Sequence, residues 1–133
     1  MRNVALYFIN SEGYVMILQC KETRKWMTPG GIVEEYETPF KAMIREFKEE
    51  TNTNFPLHNY TLIKDWVWNH HTKVYLIHSD HKFPKVFKPT NETSRRRFVH
   101  YTQLLYSYEL KYYVKKSIRE LRLIQCIDSF FLK

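Results

Sequence analysis

The run Arg45-Glu46-Phe47-Lys48-Glu49-Glu50 constrains this chain more than any other feature. At about 3.6 residues per turn, a helix carries positions 46, 49 and 50 on one side. Like charges at those spacings repel and weaken the helix unless something positive sits among them. A hard divalent cation fits, because Mg²⁺ takes carboxylate oxygens and shares its coordination with substrate phosphates. Local signals support the helix. Thr38 is a good N-cap and Pro39 a good first helical residue. Phe40, Met43, Ile44 and Phe47 fall at the i, i+3, i+4, i+7 spacing of a buried stripe. A helix is therefore expected from Pro39 to about Glu50. It should lie on a core, with small Ala42 on the glutamates' side and the acids at its edge, facing a cleft.

Around this helix the chain reads mainly as strands. Residues 2–9 and 14–19 are apolar runs joined by the turn Asn10-Ser11-Glu12-Gly13. A charged loop, 21–25, precedes Trp26-Met27-Thr28 and Pro29-Gly30-Gly31. Residues 60–68 and 73–79 read as an antiparallel pair turning at 69–72. Residues 80–90, with Pro84 and Pro89, read as a loop, and 97–101 as a last strand. A second helix is expected over 108–125. Its inward face would be Leu110, Tyr113, Val114, Leu121 and Ile124, opposite a basic stripe of Lys111, Lys115, Arg119 and Arg122. Strands alternating with two helices suggest an α/β fold, a mixed sheet with helices on both sides.

Composition narrows the class. The 133 residues are 44% hydrophobic and 17% aromatic, which suits one domain, 1–133, with a substantial core. Cys20 and Cys126 make no disulfide framework and are expected as reduced thiols in an intracellular, cytoplasmic protein. The apolar run 4–9 is too short for a signal peptide, and no stretch approaches a membrane span. The net charge of +7 suits polyanionic partners such as nucleotides, RNA or heavily phosphorylated small molecules. Scarce Gly and Ala beside plentiful Lys, Asn and Ile match proteins of AT-rich genomes, viral ones included.

Spacing adds specificity. Glu37 lies eight residues before Arg45, and Gly31 six before Glu37. Gly31, Glu37 and the run from Arg45 to Glu50 together resemble the Nudix box: glycine, five residues, glutamate, seven residues, then Arg-Glu-apolar-X-Glu-Glu-X-Gly-apolar. Every charged position over 31–53 matches. The departures are Phe47 for an aliphatic residue, Asn52 for the later glycine and Thr53 for the last apolar residue. Asparagine tolerates the left-handed conformation that follows a helix.

The resemblance implies an α/β/α sandwich and a metal-dependent hydrolase of diphosphate linkages. Glu46, Glu49 and Glu50 would bind Mg²⁺ or Mn²⁺, with the Gly31 carbonyl a further donor. Glu37 and Arg45 would pair and hold the loop shut. Glu92, ahead of Arg95, Arg96 and Arg97, is a candidate ligand or general base. Base work could instead fall to Glu46 or Glu49. His70 and His71 have no partners at zinc-ligand spacing and read as exposed turn residues. Of Trp26, Trp66 and Trp68, at least two are expected in core or cleft walls.

The box does not fix the substrate. Lys25-Trp26-Met27-Thr28-Pro29-Gly30-Gly31, the basic turn at 70–73 and the segment 95–98 are similar to diphosphoinositol polyphosphate phosphohydrolases. Lys21, Arg24, Lys25, Lys73, Arg95, Arg96 and Arg97 would then contact phosphates, and no base-reading pocket is legible. The expected substrate is a diphosphoinositol polyphosphate, a dinucleoside polyphosphate or a capped RNA 5′ end, acted on by a monomer. A nucleoside triphosphate pyrophosphatase that cleans the nucleotide pool is the first alternative. A non-catalytic domain binding RNA or nucleotide is the second.

Overall fold

The computed structural model describes residues 1–106 and 109–133. Seven strands form one mixed sheet: β1 (Asn3–Ile9), β2 (Tyr14–Cys20), β3 (Trp26–Met27), β4 (Gly30–Ile32), β5 (Thr61–Trp68), β6 (Thr72–His78) and β7 (Thr93–His100). The order is β3-β2-β1-β6-β5, with β4 also on β1 and β7 also on β2. β1 and β6 run parallel over their whole length, and the other pairs are antiparallel. β1 and β2 meet at Ile9 and Val15. At its start the same edge of β1 takes β4 instead, with Val4 opposite Gly31 and Ala5 opposite Gly30.

Strand alternation sorts the apolar residues into two cores. On one face Val4, Leu6, Phe8, Met16, Leu18, Tyr75 and Ile77 pack against helix α1 (Pro39–Thr51) and Phe55. On the other, Tyr7, Ile9, Val15, Ile17, Val74 and Leu76 meet α2 (Tyr112–Glu120), α3 (Leu123–Phe131) and a 3₁₀ turn at Tyr101–Tyr106. The result is a helix–sheet–helix sandwich. Thr38 caps α1 by accepting from the Lys41 N–H, and Asn52 ends it in the left-handed region at φ 58°.

The structure adds to the expected elements and corrects others. Gly30 and Gly31 belong to a strand, because β1 offers them an open edge. The last strand begins at Thr93 and contains all three arginines of the basic run. Residues 101–106 form a 3₁₀ turn, so the last strand ends at His100 and not at 101. The helix expected over 108–125 is two helices, split at Leu121 and a left-handed Arg122 (φ 51°); its expected start, Tyr108, lies outside the described residues. The inward residues explain the split. Val114 and Ile118 are four apart, as are Leu123 and Ile127, but 118 and 123 are five apart. One continuous helix would turn the second pair well away from the first.

Candidate active site

α1 begins its work with a salt-bridge clamp. The Arg45 guanidinium donates to both oxygens of Glu37, at 2.6 and 3.1 Å, and to the Ile32 carbonyl at 2.9 Å. This forked contact ties the end of β4 and the loop after it onto α1. The partner guanidinium holds the Glu37 carboxyl below the usual range. Nη1 of Arg45 also reaches Glu46 at 2.9 Å and Glu49 at 3.3 Å. One cation thus sits against three of the box acids, which eases their repulsion without removing it.

Glu46 and Glu50 point inward and are buried; Glu49 is exposed. Glu50 accepts the Gly30 N–H at 2.8 Å. Glu46 lies flat against Gly31, where a Cβ would come well inside 3.0 Å of its carboxyl group. Glu92 arrives from across the cleft. Its placement is local chemistry: the Thr90 hydroxyl accepts the N–H groups of Glu92 and Thr93, and the Thr93 hydroxyl donates to the Glu50 carbonyl at 2.7 Å. The Lys21 N–H bonds the Glu92 carbonyl at 2.9 Å. Carboxylate oxygens of Glu46, Glu50 and Glu92 all lie within 4.8 Å of one another. Glu49 is outside this group.

Two of the three acids, Glu46 and Glu50, are pushed toward their neutral forms. Burial pushes the Glu50 carboxyl up to about 9, and the charges of Glu46 and Glu92 add to the rise. Burial also raises Glu46, against the pull of Arg45. No lysine or arginine pairs with Glu50 among the described residues. Three hard oxygen donors so arranged fit a divalent cation.

Of the basic residues expected at the phosphates, the structure gathers some and disperses others. Lys21 lines the depression that holds Glu50 and Glu92, joined there by Lys111. Arg95 and Arg97 stack over Trp26, at 5.7 and 4.6 Å, and Arg97 also pairs with Glu109. Arg96 leaves by the opposite face, as β alternation requires. It packs among Phe83, Phe87 and Phe98 and donates to the Pro84 carbonyl. Lys73 is taken up by Asp65 at 2.8 Å, on the far hairpin. Arg24 and Lys25 stay exposed on the turn after β2. His70 and His71 are exposed turn residues, and Trp26 and Trp68 are buried walls.

No base pocket is legible in the sequence, but the structure contains a cavity of about 390 Å³ beyond Gly30 and Gly31. Tyr7, Trp68 and Tyr113 give it aromatic walls, and Asn3, Asn69 and His71 give it polar ones. Met27 lines both this cavity and the acidic depression. Burial, and then the Glu50 carboxyl, push the Tyr113 hydroxyl up to about 12. These residues come from β1, β5, the turn after it and α2. No local sequence signal joins them. Tyr113 in particular carried the periodicity of a core position.

A model of the NUDIX domain family matches residues 1–121. No curated protein matches the sequence. Several solved structures share the fold. A C. elegans Ap4A hydrolase, crystallised as a binary complex, is 16% identical over 98% of each chain, with a TM-score of 0.69. A Deinococcus radiodurans protein is 19% identical over 90% of this chain and 81% of its own, at 0.70. The E. coli dihydroneopterin triphosphate pyrophosphohydrolase is 19% identical over 89% and 92%, at 0.66.

Proposed function

This chain belongs to the Nudix family and is a hydrolase of phosphoanhydride bonds, and from that premise we propose that it cleaves a diphosphate linkage in a highly phosphorylated, nucleoside-bearing substrate. One observation carries the reading: three carboxylates within 4.8 Å stand beside a cavity walled by aromatic and amide side chains. Glu46, Glu50 and Glu92 would hold Mg²⁺ or Mn²⁺, with the Gly31 carbonyl as a further donor. When bound, such a cation neutralises the diphosphate and acidifies a water. Glu49 keeps an exposed carboxylate outside the ligand group, so it, rather than Glu46 or Glu92, accepts the water's proton at an Oε. Lys21, Arg95 and Arg97, with Lys111, bind the phosphates. Glu37 and Arg45 hold the loop that presents Gly31.

Among the highly phosphorylated candidates, the cavity favours dinucleoside polyphosphates and capped RNA over diphosphoinositol polyphosphates. A base offers an apolar face to Trp68 and Tyr113 and hydrogen-bonding edges to the asparagines. An inositol ring bearing phosphates all round offers neither. The same cavity would admit a nucleoside triphosphate, so the pool-cleaning reading shares its support. A panel with Mg²⁺ tests the proposal: diadenosine tetraphosphate, capped RNA, nucleoside triphosphates and a diphosphoinositol pentakisphosphate. Nucleoside-bearing substrates should be hydrolysed, and Tyr113→Ala should raise their KM about tenfold or more, as loss of one stacking partner does. Turnover of the inositol compound alone would sink the nucleoside reading.

A further inference from the structure

The catalytic cleft does not end at the acids. From Glu92 and Glu49 a depression of about 480 Å³ leads past Lys48 to Asn52, the left-handed cap of α1. Asn52 also lines the next, of about 340 Å³, with Lys88 and Arg96. Arg96 in turn lines a third, of about 640 Å³, with Lys82, Lys85, Phe83, Phe98 and Tyr14. Shared lining residues set these three depressions end to end along the loop at 80–92, beginning at Glu92.

The chemistry of the track changes along its length. At the Glu92 end it is acidic. Beyond Asn52 its cations are Lys82, Lys85, Lys88 and Arg96, against two carboxylates, Glu12 and Asp80. Asp80 is already satisfied by the backbone N–H and hydroxyl of Ser11. Lys82, Lys85 and Lys88 are exposed and make no ion pair among the described residues. Aromatic side chains line the same depression as Lys82 and Lys85. Phe98 is 37% exposed and Tyr14 38%, and Phe83 stacks with Phe98 at 6.3 Å. Arg96 packs over three of the phenylalanines and bonds the Pro84 carbonyl, so the loop that carries the lysines is pinned. Exposed lysines beside partly exposed aromatic rings suit a single strand, whose phosphates and bases recur together. A free nucleotide or an inositol phosphate would be too short to need it.

We propose that this track binds single-stranded RNA leading away from a 5′ diphosphate linkage held at the acids. RNA is the strand of choice because its synthesis starts from an intact nucleoside triphosphate and so leaves a phosphoanhydride at the 5′ end. The proposal rests on the function proposed above, with the 5′-terminal group at the acids and the body of the strand beyond Asn52.

The test separates the two readings. A 3′-labelled 12-nucleotide RNA with a 5′ hydroxyl has no bond to cleave, so its binding, read by fluorescence anisotropy in Mg²⁺, reports the track alone. The wild type should bind it with a marked salt dependence. The exposed-lysine variant Lys82→Glu/Lys85→Glu/Lys88→Glu should bind about tenfold or more weakly, and its slope of log affinity on log salt should shrink by about 2, some 0.7 for each lost phosphate contact. Its KM for 5′-triphosphorylated RNA should rise while its kcat/KM for diadenosine tetraphosphate stays within twofold. The milder Lys→Gln triple variant should fall between the two. Equal binding by wild type and variant, or no binding of the 12-mer by the wild type, overturns the track even where hydrolysis proceeds. If the RNA binds as stated but no 5′ linkage is hydrolysed, the function reading fails and the track stands.

Discussion

At the residue scale, Glu50 concentrates the energetics of the site. Its carboxyl titrates near 9 in the folded, cation-free protein and near 4.3 when unfolded. A group raised on folding adds stability below its unfolded pKa and loses it as pH climbs through the folded one. The cation-free protein should therefore melt at progressively lower temperature between pH 5 and 9. Glu50→Gln should flatten that slope and raise Tm at pH 8 by a few degrees, about 1 kcal/mol or more, while abolishing turnover. Binding of Mg²⁺ at pH 7 should release close to one proton, since ligands must ionise. Calorimetry in buffers of different ionisation enthalpy reads that number. A value of zero would show Glu50 already charged, against the buried, cation-free environment described here.

Neighbouring glycines divide labour in a way that substitution can expose. A Cβ on Gly30 would strike the Val4 carbonyl, which is backbone in the middle of the sheet. A Cβ on Gly31 would strike the Glu46 carboxyl group, the end of a side chain. Gly30→Ala should cost about 2 kcal/mol or more of stability, in the range of overpacked cores. Gly31→Ala should fold with little loss of Tm but lower kcat steeply, because the Glu46 carboxyl must shift from its place beside Glu50 and Glu92. Melting curves and turnover measured on the pair distinguish the two roles.

At the scale of elements, β7 shows what a strand does to a charge run. Arg95, Arg96 and Arg97 are one basic cluster in sequence, yet the pleat sends the middle one to the opposite face. Arg95→Ala/Arg97→Ala should raise KM with kcat nearly unchanged, the mark of groups that bind substrate and transition state alike. Arg96→Ala should instead lower Tm by a few degrees, about 1 kcal/mol, by freeing the loop at 80–92 from the Pro84 contact. If both variants shift KM equally with no change in Tm, the assignment of faces is wrong. The helix break at Arg122 follows the same logic: inward residues five apart cannot be served by one helix, so the chain turns left-handed for a single residue.

For the molecule as a whole, the two cores fix the sheet, and the site occupies the edge where β1 changes partner from β2 to β4. A cation bound among Glu46, Glu50 and Glu92 should couple directly to folding there, because these acids come from α1 and from the loop ahead of β7. Mg²⁺ at a hundred times its Kd should stabilise the wild type by about 2.7 kcal/mol, and Glu50→Gln by much less. Excess chelator should end hydrolysis while the far-ultraviolet circular dichroism is unchanged. Activity that survives chelation would remove the cation from the reaction. Among the described residues, no helix is long and apolar enough to cross a membrane.

What the sequence determined by itself was local. Helix α1, its caps and its apolar stripe follow from spacing within Thr38–Asn52, and the three acids on it and the two β hairpins follow from equally local patterns. These depend on neighbours along the chain, which periodicity reports. Glu92 was legible only as a candidate, since its position rests on a Thr90–Thr93 turn and on one hydroxyl reaching the Glu50 carbonyl. The tertiary structure alone decided which basic residues meet the acids, that Glu46 and Glu50 are buried while Glu49 is not, and that a cavity opens behind Gly30. Each of these joins residues dozens of positions apart across a sheet whose strand order does not follow the chain. Residue type announces chemistry, but only the packing of β1 between β4 and β6 and under α2 determines which chemistries share a space.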